Sequence, residues 1–438
     1  MGWFKCNYLW YLDNIKILKM KALFSFLKSF TKTQTIKDAS LVTVGMGLST
    51  ILSALSIFLI ARFLGPAGFG LYVTALGLSM IVIDSLELAI SGSIINFSSK
   101  PSKSSKEFIK YGFKLKLVLG LLVGLIFATA SQTLAPLLHF ELTRPLLVAS
   151  FFIPIVFLQR FPRSILQAQK KFLSDSAIEV ITSLSRLLFV LGFYYLFKLT
   201  VITALISYLL GAFFAFLFGS FFISWKFLET KITPLTKQSF FSFQKWLTLG
   251  FILAAIHGRI DSAILLRLVG PETTGIYQAA FRFFMPILSF TAVLSLIFTP
   301  RFASFPDYKI ARSYLKKALA LSLGLASLVL LIIPLAPFLV KLIFGPNYLE
   351  AVLPTQILAL GFFAFVAGAP LASHLIYSTK RTKVFFIVNL IQIILLVGLD
   401  LLLIPLYKAV GAALAVSITL IIINSLLGFL ALSYEKAD

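Results

Sequence analysis

A chain of 438 residues with 59% hydrophobic and 13% charged positions has more apolar surface than one water-soluble core can bury, so the bilayer is its solvent. A formal charge of +23 would suggest nucleic acid in a soluble protein, but the basic residues sit at the ends of apolar runs and not on one face, which argues against that partner. Cys6 is the only cysteine, so an intramolecular disulfide and a cysteine-based metal cluster are both excluded.

In chain order, residues 1–39 form a basic segment with Trp3, Phe4, Trp10 and Tyr11, expected to lie as a cytoplasmic amphipathic helix on anionic lipid. Asp13, Asn14, Lys16, Lys19 and Lys21 break its hydrophobicity, so it is no cleavable signal; a translation start at Met20 is the alternative. Crossing a hydrocarbon layer takes roughly 20 apolar residues. Such runs predict twelve transmembrane helices, over 40–62, 71–97, 116–138, 146–166, 177–197, 200–225, 246–269, 276–300, 318–343, 354–378, 384–404 and 410–433. They group as a six-helix half over 40–225, a basic cytoplasmic linker over 226–245, a second six-helix half over 246–433 and a short tail over 434–438.

Lysine and arginine alternate along this layout. Seven lysines precede the first span, and the loops at 98–116, 226–245 and 301–317 hold six, four and five basic residues. Arg62, Arg144, Lys198, Arg267, Lys341 and Lys408 supply about one each to the intervening connections. The positive-inside rule therefore places both termini in the cytoplasm, with the chain multi-pass in the cell membrane.

Residues 62–75 read RFLGPAGFGLYVTA and residues 267–280 read RLVGPETTGIYQAA, an internal repeat at an offset of 205. Each copy joins the first span of a half to the second. Two halves entering from the same side are related by an axis along the membrane normal, with a cavity between them. Within each copy, Gly-Pro is expected to stop one helix, the second glycine to reopen the turn, and Tyr72 or Tyr277 to anchor the next helix at headgroup level. A weaker echo at offset 210 pairs Lys170 and Lys171 with Lys380 and Arg381.

The stretches LIARFLGPAGFGLY and IDSAILLRLVGPETTGIYQAAFR, with GAALAV at 411–416, resemble the polysaccharide-exporter and O-antigen-flippase branch of the multidrug/oligosaccharidyl-lipid/polysaccharide exporter superfamily. The resemblance covers essentially residues 40–433; Leu86 and Glu87 depart from it, standing where the family often has glycine. It implies flipping of a polyprenyl-diphosphate-linked oligosaccharide across the cytoplasmic membrane for surface polysaccharide biosynthesis.

Ionisable groups placed deep in the membrane are the site candidates, because a charge at the bilayer centre costs roughly 2.5–3.5 kcal/mol on insertion scales. Asp84, Glu87 and Ser91 share one face of the second span, and Glu179, Thr182, Ser183 and Arg186 form a stripe on the fifth. In the seventh span His257 and Asp261 share a face while Arg259 points away, so Arg259 needs a partner on another helix. Arg259 and Arg186 fit a diphosphate through their forked donors. Asp84, Glu87, Glu179 and Asp261 suit sugar contacts, ion or proton coupling, or neutralisation of the arginines. Interhelical ion pairs that only fix packing are the alternative for all of these. Arg160, Arg163, Arg282 and Asp400 are read as lying near a membrane surface, where Arg282 either lines the cavity or snorkels. His374 reads as a packing histidine, and the phenylalanines as lipid-facing bulk.

No Gly-Lys-Ser/Thr phosphate loop and no His-Glu-x-x-His helix is present, and the outward connections are short. The sequence thus reads as a transporter and not an enzyme, with no cofactor, metal or nucleic acid. Its expected partners are a lipid-linked glycan, membrane lipids and a coupling ion or proton. A drug or cation antiporter on the same fold is the alternative, followed by a membrane glycosyltransferase or polymerase.

Overall fold

A computed structural model describes residues 34–99, 103–305, 308–378 and 382–433. Residues 1–33 of the expected amphipathic segment, the Lys380–Arg381 echo and the tail at 434–438 lie outside these residues. The first half is built from α1 (Gln34–Ser98), α2 (Lys103–Leu138), α3 (Thr143–Ala168), α4 (Phe172–Leu196) and α5 (Val201–Ser220). The second half comprises α6 (Pro234–His257), α7 (Ile260–Leu268), α8 (Pro271–Arg282), α9 (Met285–Ser304), α10 (Tyr308–Leu330), α11 (Ile332–Ile343), α12 (Val352–Ala367), α13 (Ala369–Ser373) and α14 (Thr382–Leu432). The protein is all-α, and among the described residues nine helices are long and apolar enough to cross a membrane.

Two of those helices are far longer than one crossing. At 1.5 Å per residue, the 65 residues of α1 and the 51 of α14 would each outrun a hydrocarbon core of about 30 Å more than twice over. Each folds back at one residue, Gly65 in α1 (φ 67°) and Lys408 in α14 (φ 53°). Gly270 (φ 109°) and Gly345 (φ 92°) repeat the Gly65 device, and each of the three is followed by a proline that opens the next helix. Positive φ is freely open only to glycine, and proline loses nothing at a first helical position whose N–H has no helical partner.

The second glycine of each repeat does something other than reopen a turn. Gly70 and Gly275 lie inside helices, back to back, where the two copies of the motif cross. A side-chain carbon at Gly70 would fall on the Pro271 carbonyl, and one at Gly275 on the Pro66 carbonyl. This reciprocity is what a local two-fold relation between the halves produces. Tyr72 and Tyr277, expected at the headgroups, are instead buried at 1% and 0% exposure. They stand seven residues beyond Gly65 and Gly270, two turns down the helix, so their rings point into the protein interior.

The halves differ in continuity. Crossings of the first half run unbroken after Gly65, whereas the second half is interrupted at Gly258–Arg259, Phe283–Phe284, Leu331 and Gly368. The break at Arg259 (φ −148°, ψ −3°) overturns the expected continuous seventh helix and its face assignment. Many phenylalanines also depart from the lipid-facing reading: Phe69, Phe157, Phe161, Phe240, Phe284 and Phe362 are fully buried. Aromatic pairs explain part of this, such as Phe284 stacked on Phe362 with centroids 4.6 Å apart.

At 36 residues α2 also exceeds one crossing, and its first turns project beyond the span expected at 116–138. There Glu107 accepts hydrogen bonds from the Thr233 amide (3.1 Å) and from the hydroxyls of Thr233 and Thr236 (both 2.9 Å). Lys110 donates to the carbonyls of Leu228 and Thr230 at 2.6 and 2.8 Å. These contacts clamp the start of α2 to the inter-half linker. Donation by the Thr233 hydroxyl, then by its amide and by Thr236, holds the Glu107 carboxyl below its ordinary value.

Candidate functional site

A cavity of about 970 Å³ lies between the halves. Tyr72, Asp84, Arg160 and Tyr208 line it from the first half, and His257, Arg259, Asp261, Gln278 and Arg282 from the second. Five sequence-predicted site residues, Arg259, Asp261, Asp84, His257 and Arg282, therefore meet at one cavity. Arg186, Glu87 and Glu179 do not line it.

The central feature is a chain of charges. Arg259 Nη2 donates to Asp84 Oδ2 at 2.7 Å, supplying the partner on another helix that its placement demands. Arg160 Nη1 donates to Asp84 Oδ1 (2.9 Å) and to Glu87 Oε2 (3.0 Å). Lys116 Nζ donates to Glu87 Oε1 (2.5 Å) and to Ser91 (2.8 Å), and Ser91 donates to the same Glu87 oxygen at 2.6 Å. The shared face of Asp84, Glu87 and Ser91 is thus real, set by helical spacing on α1. The series runs from wholly buried Lys116 and Glu87 through Arg160 to Arg259 at the cavity, where side-chain exposure reaches 31%.

Two members escaped the sequence reading. Lys116 borders the basic loop at 98–116 in the sequence, yet its side chain is fully buried. Arg160, expected near a surface, stands between two carboxylates at the cavity wall. The legible signal was depth: Glu87 lies well inside its span and needs a cation on a neighbouring helix. Arg163 also finds partners, in Asp175 at 2.7 Å and in Glu179, so Glu179 belongs to a separate pair within the first half. Thr182 and Ser183 on the same helix hydrogen-bond to Gln159 and to Ser49 and Ser53, so this stripe serves helix packing. Arg186 lies over the ring of Tyr208, 3.5 Å from its centroid, and Tyr208 in turn faces the cavity.

The repeat is symmetric in sequence but not in chemistry. Tyr277 donates to Asp261 Oδ2 at 2.5 Å, and the Ser262 amide donates to Oδ1 at 2.7 Å. At the corresponding place in the first half stands Ser56, whose hydroxyl is used by the Leu52 carbonyl. The Tyr72 hydroxyl and Arg282 Nε have no hydrogen-bond partner among the described residues, and both residues line the cavity. Asp400, expected near a surface, is fully buried, with neither oxygen partnered among the described residues. His374 is buried against Phe302, as a packing histidine would be.

A many-helix membrane bundle with a charged cavity between two repeats defines the class of solute and lipid transporters. A profile described as polysaccharide biosynthesis protein matches residues 59–353, and the chain belongs to this family. It is 23% identical over 417 residues, covering 90% of this chain and 97% of its relative, to a Shigella flexneri protein named "Putative O-antigen transporter". Its fold matches the lipid II flippase MurJ in an inward closed conformation, with a TM-score of 0.73, 19% identity and coverage of 90% and 87% of the two chains. It also matches an inward-facing multidrug resistance MATE transporter, with a TM-score of 0.73, 14% identity and coverage of 89% and 96%. The fold is shared with these solved transporters, and the proteins matched are named as transporters and flippases rather than enzymes.

Proposed function

We propose that the protein carries a polyprenyl-diphosphate-linked oligosaccharide across the cytoplasmic membrane for surface polysaccharide assembly. The observation that carries this reading is the cavity between the halves, where Arg160, Arg259 and Arg282 outnumber the acids Asp84 and Asp261. Arginine forks bind phosphate oxygens in pairs, and a partly dry cavity strengthens that attraction. Asp261, held by Tyr277, is the group best placed to take a coupling ion or proton. Antiport of organic cations on the same fold is disfavoured by the same excess of arginine, which repels a cationic cargo.

The reading includes twelve crossings in two halves, 40–225 and 246–433, with both termini cytoplasmic. The long basic linker between them and the basic loops at 98–116 and 301–317 support that orientation. Deleting the gene should remove one surface glycan, and purified protein in liposomes should move a labelled lipid-linked glycan without cleaving it. Intact surface glycan in the deletion strain, together with release of sugar or diphosphate by purified protein, would replace this reading with an enzymatic one. Reporter fusions should read cytoplasmic at Lys237 and external at Pro346; the reverse would overturn the orientation.

A further inference from the structure

A second, smaller cavity of about 310 Å³ opens beside the charged one, lined entirely by the second half. The two share Leu288, Phe365, Asn389, Gln392 and Leu420 as a common wall. Their chemistry is opposite: not one residue lining the alcove is ionisable, whereas three arginines line its neighbour.

The polar groups of the alcove are mainly carboxamides. Its hydroxyls are engaged by their own helix, with Thr291 donating to Ile287 and Leu288 and Ser295 donating to Thr291. Three amides, Asn389, Gln392 and Asn424, line the same space. Asn389 and Gln392 are three residues apart on the first arm of α14 and so share a face. Gln392 and Asn424 each lie sixteen residues from the reversal at Lys408, one on either arm, which sets them at the same depth, about 24 Å from the bend at 1.5 Å per residue. Asn424 anchors one amide hydrogen on the Leu420 carbonyl at 2.8 Å. Gly368 makes room for its oxygen, since a side-chain carbon at Gly368 would fall on Asn424 Oδ1. The amides are thus converged on one space by the bend of α14 and by a glycine opposite.

A carboxamide both donates and accepts, which matches the hydroxyl and acetamido groups of an uncharged sugar. It matches a phosphate poorly, since its carbonyl oxygen repels an anion. A polyprenyl chain is a worse occupant still, because it would set the Gln392 amide and the Asn424 carboxamide oxygen against hydrocarbon. The volume stands at the lower end of small-molecule pockets, about 300–1,000 Å³, which suits one ring and not an oligosaccharide.

We propose that this alcove seats the first, uncharged sugar of the cargo, a neutral hexose or N-acetylhexosamine, while its diphosphate lies against the arginines next door. The inference rests on the lipid-linked-glycan reading and adds to it a place where glycan identity is read. The test uses full-length purified protein and two probes, undecaprenyl diphosphate and the same lipid bearing a single N-acetylglucosamine, with affinities measured by titration. Wild type should bind the glycosylated lipid at least tenfold more tightly. Ala372→Leu, which fills the alcove, and Asn424→Leu, which removes an amide, should bring the two lipids within about twofold at an unchanged unfolding midpoint. A preference that survives both variants overturns the proposal, as does an equal loss of affinity for both lipids, which would make the alcove a seat for the chain. Equal binding of the two lipids by wild type overturns the alcove alone, and binding of neither overturns the lipid-linked-glycan reading as well.

Discussion

Asp84 accepts Arg259 at 2.7 Å on one oxygen and Arg160 at 2.9 Å on the other, so a single carboxylate of the first half holds an arginine of each half at the cavity wall. The contact is partly solvated, with side-chain exposures of 31% for Arg259 and 16% for Asp84, which leaves an incoming anion free to compete for the guanidinium. A diphosphate brings two acidic groups in place of one carboxylate.

Arg259→Ala should therefore lower glycan export at least tenfold, equivalent to about 1.4 kcal/mol, with normal protein levels in the membrane. Arg259→Lys keeps the charge without the fork and should export at an intermediate rate. Membrane abundance and surface glycan are to be read together. Normal export by the alanine variant would eliminate the cargo role, and matched losses of abundance and export would assign Arg259 to packing with Asp84.

The Glu87–Lys116 pair should behave differently, because both side chains are fully buried. Removing Glu87 strands the Lys116 ammonium in the membrane interior, so Glu87→Leu should destabilise by about 3–5 kcal/mol and deplete the protein, while Lys116→Ala, which leaves Glu87 with Arg160 at 3.0 Å, should cost less. Replacing both with apolar residues, as in Glu87→Leu with Lys116→Met, should restore much of the loss, since Arg160 keeps Asp84. Unfolding midpoints in detergent give the comparison; an additive double variant would show that the pair is not coupled.

Gly70→Ala and Gly275→Ala should each cost about 1–3 kcal/mol through overpacking at the crossing of the repeats. Gly324→Ala is the control, a helical glycine with nothing within 4 Å of an added carbon. Thermal unfolding of the three variants decides it: equal midpoints would mean that the Gly70–Gly275 contact gives way without strain.

Glu107 links stability to acidity outside the membrane. Its carboxyl is held below the ordinary value by the Thr233 and Thr236 donors, so its contribution is present above the unfolded-state value of about 4.3. That contribution fades as pH falls through the lowered value. Glu107→Gln should accordingly unfold earlier than wild type at pH 7, with the gap closing on titration below about pH 4. A gap that persists unchanged in acid would show that charge on Glu107 is not what ties the linker.

How far the sequence reached depends on the type of signal. The repeat and the all-helical class were legible, because apolar run length and Gly-Pro turns are local features; the cost of buried charge singled out Asp84, His257, Arg259 and Asp261 as candidates without showing which of them meet. Lys116 and Arg160 were missed because span edges are set by hydropathy, while the length of α2 and the tilt of neighbours decide how deep an edge residue sits. The inward rings of Tyr72 and Tyr277 were missed for a related reason: distance from the turn was read as surface proximity, when two helical turns already carry a side chain into the bundle. The break at Arg259 has no proline to announce it, and it swung Arg259 onto the cavity beside His257 and Asp261.

The burial of Lys116 against Glu87 also bears on biogenesis. A lone carboxylate or ammonium leaving the translocon for lipid meets a penalty of roughly 2.5–3.5 kcal/mol. Glu87 and Lys116 lie 29 residues apart, on either side of the polar connection at 99–102, so they come face to face only when α1 and α2 fold back as a hairpin. The second arm of α1 should thus wait at the protein-conducting channel until α2 emerges, and the two should partition as a neutralised unit. A nascent chain arrested after Ser99 should crosslink to the channel and not to lipid, and one extended past Leu138 should release; with Lys116→Ala, release should be delayed.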